Sequence, residues 1–169
     1  MLKHELIAAE DLPENAIKLI GSEWTLITAG TRDSFNMMTA SWGGLGALWN
    51  KPVAYIFVRP QRYTFEFVEK NDFFTLTFFD EAGHDALDLC GSKSGRDFDK
   101  MHVPGLTPME FASGAIYYAE SRLAIECRKL YWQDLTPDNF LDPEIAEMYP
   151  GNDYHRMYVG EIQTCLVKR

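Results

Sequence analysis

A chain of 169 residues with 46% apolar and 24% charged side chains has the make-up of a globular domain, which excludes disorder and fibrous architecture. It is long enough to bury roughly two-thirds of its unfolded surface without disulfide or metal staples. With 25 acidic against 16 basic residues, the net charge is -9, the wrong sign for a protein that displaces counterions from nucleic acid.

No apolar run approaches the roughly 18 residues that cross a bilayer, so no membrane partner is expected. The opening Met1-Leu2-Lys3-His4-Glu5 soon meets Glu10 and Asp11, which is not a secretory pattern. The three cysteines, Cys90, Cys127 and Cys165, are odd in number and contain no CxxC. Neither a disulfide framework nor a zinc site is expected, and the reading is a cytoplasmic protein with one domain over 1–169.

The opening segment to about Ile20 is mixed and acidic, predicting an edge segment or short strand. Trp24 to Ala29 is rich in β-formers and predicts a strand, ending in the turn residues Gly30-Thr31-Arg32-Asp33-Ser34. Met37 to Trp42 then predicts the partner of a hairpin. Val53 to Val58 predicts a strong apolar strand that stops at Pro60. Thr64 is placed to cap a short helix. Phe73 to Phe79, aromatic at both parities, predicts a strand buried on both faces. Asp80 to Cys90 predicts a helix closed by Gly91. Ser94 and Asp97 have capping-box spacing and predict a short helix through Lys100. Pro104 to Pro108 reads as irregular. Ile116 to Glu120 and Leu123 to Trp132 predict a hairpin, Thr136 to Pro150 an acidic insertion with a helical turn near Glu144 to Met148, and Arg156 to Val167 a last strand. Many strands with few short helices and no βαβ rhythm predict a mainly β fold, a closed or partly closed barrel.

Several familiar motifs fail. Trp42-Gly43-Gly44-Leu45-Gly46-Ala47-Leu48-Trp49 would put the third dinucleotide glycine at Trp49, and no helix with a following acid is present. Gly91-Ser92-Lys93-Ser94-Gly95 lacks triphosphate-loop spacing. There is no HExxH or GxSxG, and His4, His84, His102 and His155 are scattered, so no metal is expected.

Three clusters remain. Asn36-Met37-Met38-Thr39-Ala40-Ser41-Trp42 alternates small polar residues along a strand, which fits either a half-exposed strand or an edge that meets a flat heteroaromatic ligand. Arg59-Pro60-Gln61-Arg62-Tyr63-Thr64 puts two guanidiniums and a hydroxyl where a strand becomes a helix, the donor set that a phosphate monoester requires. Ser92 to Lys100 concentrates cations in an acidic chain, either as a capped surface helix or as an anion site.

The order NxMTASW, then Val-Arg-Pro-x-Arg-Tyr-Thr, then Gly-Ser-x-Ser-Gly-Arg-Asp-x-Asp-Lys resembles the flavin reductase-like, FMN-binding split-barrel family, flavoredoxin included. The resemblance runs from about Glu23 to Lys100 and returns weakly at His155 to Ile162. It implies a homodimeric split β-barrel with one FMN per subunit. Asn36, Met38, Thr39, Ala40, Ser41 and Trp42 would line the ring and ribityl chain, with Val58 beside them. Arg59, Arg62, Tyr63 and Thr64 would serve the phosphate. Ser92, Ser94, Gly95, Arg96 and Lys100 would close the site. Lys100, Arg96 and the amides near Ser94 would favour the reduced, anionic ring. His155 is the candidate for the outer flavin face, where the alternative is an ordinary histidine at a strand entrance. The segment 136–153 is longer than a minimal member needs.

The expected activity is NADH- or NADPH-dependent reduction of free flavin or another small-molecule acceptor. The rivals are a carrier that exchanges electrons with a redox protein and a barrel that binds some other planar ligand.

Overall fold

The computed structural model describes residues 3–168; Met1 and Leu2 of the opening segment, and Arg169, lie outside it. Ten strands and three α-helices follow one another: β1 (His4–Ile7), α1 (Ala16–Gly21), β2 (Thr25–Thr31), β3 (Ser34–Ala40), β4 (Gly43–Leu48), β5 (Lys51–Val58), α2 (Tyr63–Lys70), β6 (Phe73–Phe78), α3 (His84–Ser92), β7 (Pro108–Glu110), β8 (Ile116–Tyr118), β9 (Leu123–Asp134) and β10 (Arg156–Lys168). Short 3-10 turns sit between them, among them Lys100–His102 and Pro143–Met148.

Eight strands form one antiparallel sheet in the order β3-β2-β6-β9-β10-β5-β4, with β1 joined to the far half of β10. The sheet is mainly antiparallel hairpins and does not close on itself, so it is a split barrel. The 13-residue β10 is its hub: Arg156 to Glu161 pair with β5 on one side, and the strand pairs along its length with β9 on the other. Register shifts at Val159/Gly160 and Ile162/Thr164 supply the extra twist that curls the sheet. A Cβ on Gly160 would lie 2.5 Å from Cζ of Phe74 and 2.8 Å from Cβ of Cys127, so the strands approach there only because the position is glycine.

Inside the curl, Ile27, Met38, Ile56, Phe74, Leu76, Ile125 and Tyr158 form the main core. A second core covers the outer face of β2 and β3, where Leu26, Phe35 and Met37 meet Leu87 and Cys90 of α3 and Val103 and Leu106 of the following loop. This explains why β2 is apolar at both parities, whereas β6 puts Phe74, Leu76 and Phe78 into the main core and buries Thr75 and Thr77 on its other face.

The predicted strands over 24–29, 37–42, 53–58, 73–79 and 156–167 are observed with small shifts of their ends. Two segments gain structure beyond the expectation, and three expectations change. The opening segment holds the strand β1 and also α1, capped by Asn15 Oδ1, which accepts from the amides of Ile17 and Lys18. The glycine run Gly43 to Leu48 is an edge strand, turned into β5 through Trp49 and Asn50 with φ of 54° and 58°. Those left-handed residues make the tight twisted turn such hairpins favour. Thr64 is not the cap of α2: it lies within the first turn, buried, and Arg62 holds the cap position without a side-chain bond. Ser94 to Lys100 is a turn rather than a helix, with Ser94 Oγ accepting from the amide of Arg96 and Asp99 capping the Lys100–His102 turn. Finally, Ile116 to Glu120 does not pair with Leu123 to Trp132. Its strand β8 pairs with β7, while β9 fills the slot between β6 and β10, because two long apolar neighbours bury more of β9 than a three-residue partner can.

Candidate functional site

The three sequence clusters converge at one end of the split barrel. The ends of β3 and β5, the start of α2, the end of α3 and the residue before β10 line two adjoining cavities that share Arg62. The first, about 190 Å³, is lined by Met38, Thr39, Ala40, Ser41, Trp42, Phe57, Arg59, Arg62 and His155. The second, about 150 Å³, is lined by Asn36, Gln61, Arg62, Tyr63, Thr64, Gly91 to Gly95 and Lys100. A third hollow, lined by Trp24, Thr39, Ala40, Ser41, Leu87, Asp88, Gly91 and Ser92, runs past the same β3 residues.

Strand alternation sets what β3 offers. Asn36, Met38 and Ala40 point one way and Phe35, Met37 and Thr39 the other. Asn36 donates to Thr64 Oγ1 at 2.8 Å, which ties β3 to the first turn of α2. Thr39 donates to the Leu87 carbonyl at 2.5 Å and ties the same strand to α3. The strand is therefore held from both sides before any ligand arrives.

The second cavity is built to accept negative charge. In a chain of net charge -9, its lining holds Arg62, Lys93 and Lys100 and no carboxylate. The Arg62 guanidinium makes only a long contact to the Gly91 carbonyl, 3.4 Å, and has no ion-pair partner among the described residues. Burial, and then the neighbouring Arg59 charge, lower its pKa from the ordinary value. Lys100 is 4% exposed; its Nζ donates to the carbonyls of Met37 at 2.9 Å and Cys90 at 2.7 Å. Burial outweighs every other influence on it and pulls its pKa down to about 8. An ammonium has three donors, and two are used. The amides of Tyr63 and Thr64, at the start of α2, have no partner within the helix, whereas that of Phe65 donates to the Arg62 carbonyl; Tyr63 and Thr64 both line this cavity. Gly95 lets the 92–95 loop close on the cavity, since a Cβ there would lie 2.1 Å from Asn36 Oδ1.

The first cavity has Trp42, Phe57 and His155 in its wall, and the segment between β9 and β10, a strap, packs behind its lining residues Arg59 and His155. Arg59 does not reach the second cavity. Its guanidinium donates to Asp153 Oδ2 at 2.7 Å and to the Met148 carbonyl at 2.8 Å, and stacks on the Tyr149 ring. Arg59 thus anchors the strap, and the Asp153 carboxyl is held below its ordinary range by that bond. Gln61 also donates to Asp153. Tyr149 packs against Phe140 and Tyr154, and its hydroxyl lies 2.7 Å from Nδ1 of His155. The imidazole sits against Trp42 at 5.2 Å between ring centres and edge-on to Phe57 at 6.5 Å. Burial, then the Arg59 charge, push its pKa down to about 4, so it is neutral at pH 7.

Of the residues singled out from the sequence, two stand apart. The Val58 side chain is wholly in the core, and it is Phe57, one residue earlier on the strand, that lines the cavity. Arg96 is turned outward to Glu66 at 2.6 Å, to the Gln61 carbonyl and over the Tyr63 ring. Phe57, Gln61, Gly91, Lys93 and Tyr149 were not singled out. Phe57 was legible from the parity of β5; Tyr149 had no signal, because its place depends on how the strap folds back. No group of three or more His, Cys, Asp or Glu that could hold a metal occurs among the described residues. None of their helices is long and apolar enough to cross a membrane.

The sequence profile of the family described as Flavin reductase like domain matches residues 17–169. Among solved structures, flavoredoxin from Methanosarcina acetivorans is 24% identical, with a TM-score of 0.66 over 85% of this chain and 67% of that one. The FMN-binding protein from Thermus thermophilus with bound p-hydroxybenzaldehyde is 20% identical, with a TM-score of 0.65 over 96% and 81%. The Streptomyces globisporus NADH:FAD oxidoreductase in complex with NAD and FAD fragments is 16% identical, with a TM-score of 0.64 over 87% and 77%. No curated protein sequence matches the chain. A profile match over nearly the whole length, on a split barrel whose β3, α2 and α3 ends converge on paired cavities, places the chain in the flavin reductase-like domain family.

Proposed function

We propose that the protein binds FMN across the two cavities and uses it to pass electrons from NADH or NADPH to a small planar acceptor. The observation that carries this reading is the second cavity: three cations, the hydroxyls of Thr64, Ser92 and Ser94, and helix-start amides, with no carboxylate in the lining of a strongly acidic chain. That donor set suits a phosphate monoester. It opens beside β3, whose edge and small side chains suit a flat ring with donors and acceptors along one side.

When bound, FMN supplies a ring that takes up two electrons and gives them up again. The chain's own residues supply position and field. Arg62 and the first turn of α2 hold the phosphate end. Lys100, with one donor to spare and little water around it, favours negative charge near the Met37 carbonyl. Thr39, Ala40 and Ser41 set the depth at which a ring rests, and Trp42, Phe57 and His155 wall the space above it. Arg59 ties the strap beside that space.

The Streptomyces neighbour's NAD and FAD fragments support the reductase reading, and the Methanosarcina flavoredoxin supports a carrier. Absorbance of the purified protein, titrated with FMN and with riboflavin and then mixed with NADH without oxygen, separates them. The expected result is stoichiometric FMN uptake, weaker riboflavin uptake for want of the phosphate, and prompt bleaching. Flavin bands that NADH leaves intact but a reduced redox protein bleaches would put the carrier in its place. A protein that takes up neither flavin overturns both.

A further inference from the structure

The acidic strap 135–154 meets the first cavity at two of its lining residues, Arg59 and His155, and the bond to the His155 ring has a direction. Tyr149 and His155 are both almost fully buried, and Tyr149 Oη and His155 Nδ1 are 2.7 Å apart. A neutral imidazole carries one proton, so one nitrogen donates and the other accepts. Were Nδ1 the donor, the Tyr149 hydroxyl proton would have no acceptor, since His155 is its only hydrogen-bond partner among the described residues. A buried hydroxyl left unmatched is unfavourable, and a phenol is the better donor of the two groups. The hydroxyl therefore donates to Nδ1, and the proton of His155 is on Nε2.

Nε2 has no partner within the described residues, yet it is not sealed away: the one fully shielded side-chain polar atom without a partner among them is Thr77 Oγ1. The ring lines the first cavity, against Trp42 and edge-on to Phe57, and Nε2 is the ring nitrogen left over once Nδ1 is taken by Tyr149. Nothing about the strap leaves the ring free to flip. Tyr149 is stacked on Phe140 with an angle of 12° between planes, pressed by Tyr154 and covered by the Arg59 guanidinium at 4.9 Å. The His155 carbonyl accepts from the Leu135 amide at 2.9 Å, which fixes the backbone beneath it.

We infer that Tyr149 is a positioning residue: its hydroxyl fixes His155 as the tautomer that offers one neutral Nε2–H donor to the carbonyl oxygen of a planar, conjugated electron acceptor in the first cavity. This deepens the proposed function and rests on it for the acceptor's role in electron transfer. The imidazole stays uncharged because it is buried beside Arg59, so it selects by hydrogen bonding and shape rather than by charge; Asp153 is the acid nearest to it and is already committed to Arg59 and Gln61. The strap is then the wall that reads the acceptor.

Two measurements decide it. Long-range proton–nitrogen NMR of the full-length protein, with no flavin added, should show Nε2 of His155 protonated and Nδ1 bare at pH 7. A protonated Nδ1 overturns the inference whether or not the protein binds flavin, whereas failure to take up FMN overturns the functional reading and leaves the tautomer result standing. The second measurement titrates the FMN-loaded protein with benzaldehyde and with styrene, which has the same shape without the carbonyl oxygen. One net hydrogen bond is worth about fivefold, so benzaldehyde should bind about fivefold more tightly than styrene. Tyr149→Phe should abolish most of that preference. His155→Gln, which keeps a side-chain N–H, should retain part of it, and His155→Leu should lose it. An unchanged preference in Tyr149→Phe or in His155→Leu overturns the inference. Should Tyr149→Phe fail to fold, the tautomer spectrum and the His155 pair decide alone.

Discussion

Arg59 and Arg62 stand three residues apart at the same strand-to-helix corner, yet the two cavities they serve are made on opposite plans. Arg59 is spent on the protein: a carboxylate, a carbonyl and an aromatic face take up its guanidinium and hold the strap beside the cavity walled by Trp42, Phe57 and His155. Arg62 is left nearly unpaired beside Lys93 and Lys100, in a cavity with hydroxyls and no carboxylate. The difference teaches that a cation's meaning at a site lies in what already occupies its donors. A matched arginine is structure, and an unmatched, half-buried one is held in readiness for an anion.

The contrast can be broken most sharply at Arg62. Arg62→Ala should weaken FMN binding by about thirtyfold, in the range of one or two charge-assisted hydrogen bonds, with little change in melting temperature of the flavin-free protein. Equal losses from Arg59→Ala and Arg62→Ala in a fluorescence titration would erase the distinction. Gly95→Ala comes next. Its methyl would crowd Asn36 and Tyr63, and relieving overpacking of about 1–3 kcal/mol by swinging the loop off the second cavity should weaken FMN by about tenfold. Riboflavin, which has no phosphate to place there, should be less affected, and a parallel titration of the two ligands checks this.

The first cavity is sharpened by pH. His155 titrates at about 4 in the fold, below its ordinary 6.5, because burial and Arg59 oppose its charge. Between these values the unfolded chain binds a proton that the folded chain refuses, so stability falls as the pH is lowered through this window. Thermal melts from pH 7 to 4 should show that fall, and His155→Gln should make it shallower. The smallest effect is expected at Asp153. Asp153→Asn removes the charge of the half-buried pair with Arg59, and FMN affinity should stay within about twofold. The strap should nonetheless be cut faster by limited proteolysis within 136–153, and equal rates in the two proteins would show that Arg59 does not hold it.

The second cavity was the more legible of the two. Thr64, Ser92, Ser94, Gly95 and Lys100 were all marked in the sequence, because phosphate chemistry draws on few residue types and these lie in two short runs. The first cavity was legible along β3 and at Arg59, Arg62 and His155, but not in its remaining wall. Phe57 was missed although the parity of β5 shows it, and Tyr149 had no mark at all, because an aromatic residue in an acidic, proline-bearing stretch reads the same whether it faces water or packs behind a site. Roles moved too. Thr64 looked like a helix cap and is instead the buried acceptor for Asn36, a contact across 28 positions of chain that no local rule contains.

The sequence by itself determined that the chain is a mainly β domain with its longest strands in the right places, because period-two alternation and doubly apolar runs reflect burial directly. It also determined, through the residues from Asn36 to Lys100, which part of the chain would line the cationic second cavity. The tertiary structure alone decided that β9 leaves β8 for β6 and β10, that a glycine run forms an edge strand, and that Arg59 turns to the strap while Arg62 does not. Each of these is a choice among distant partners, and such choices are settled by the burial available across the whole sheet rather than by the residues nearby.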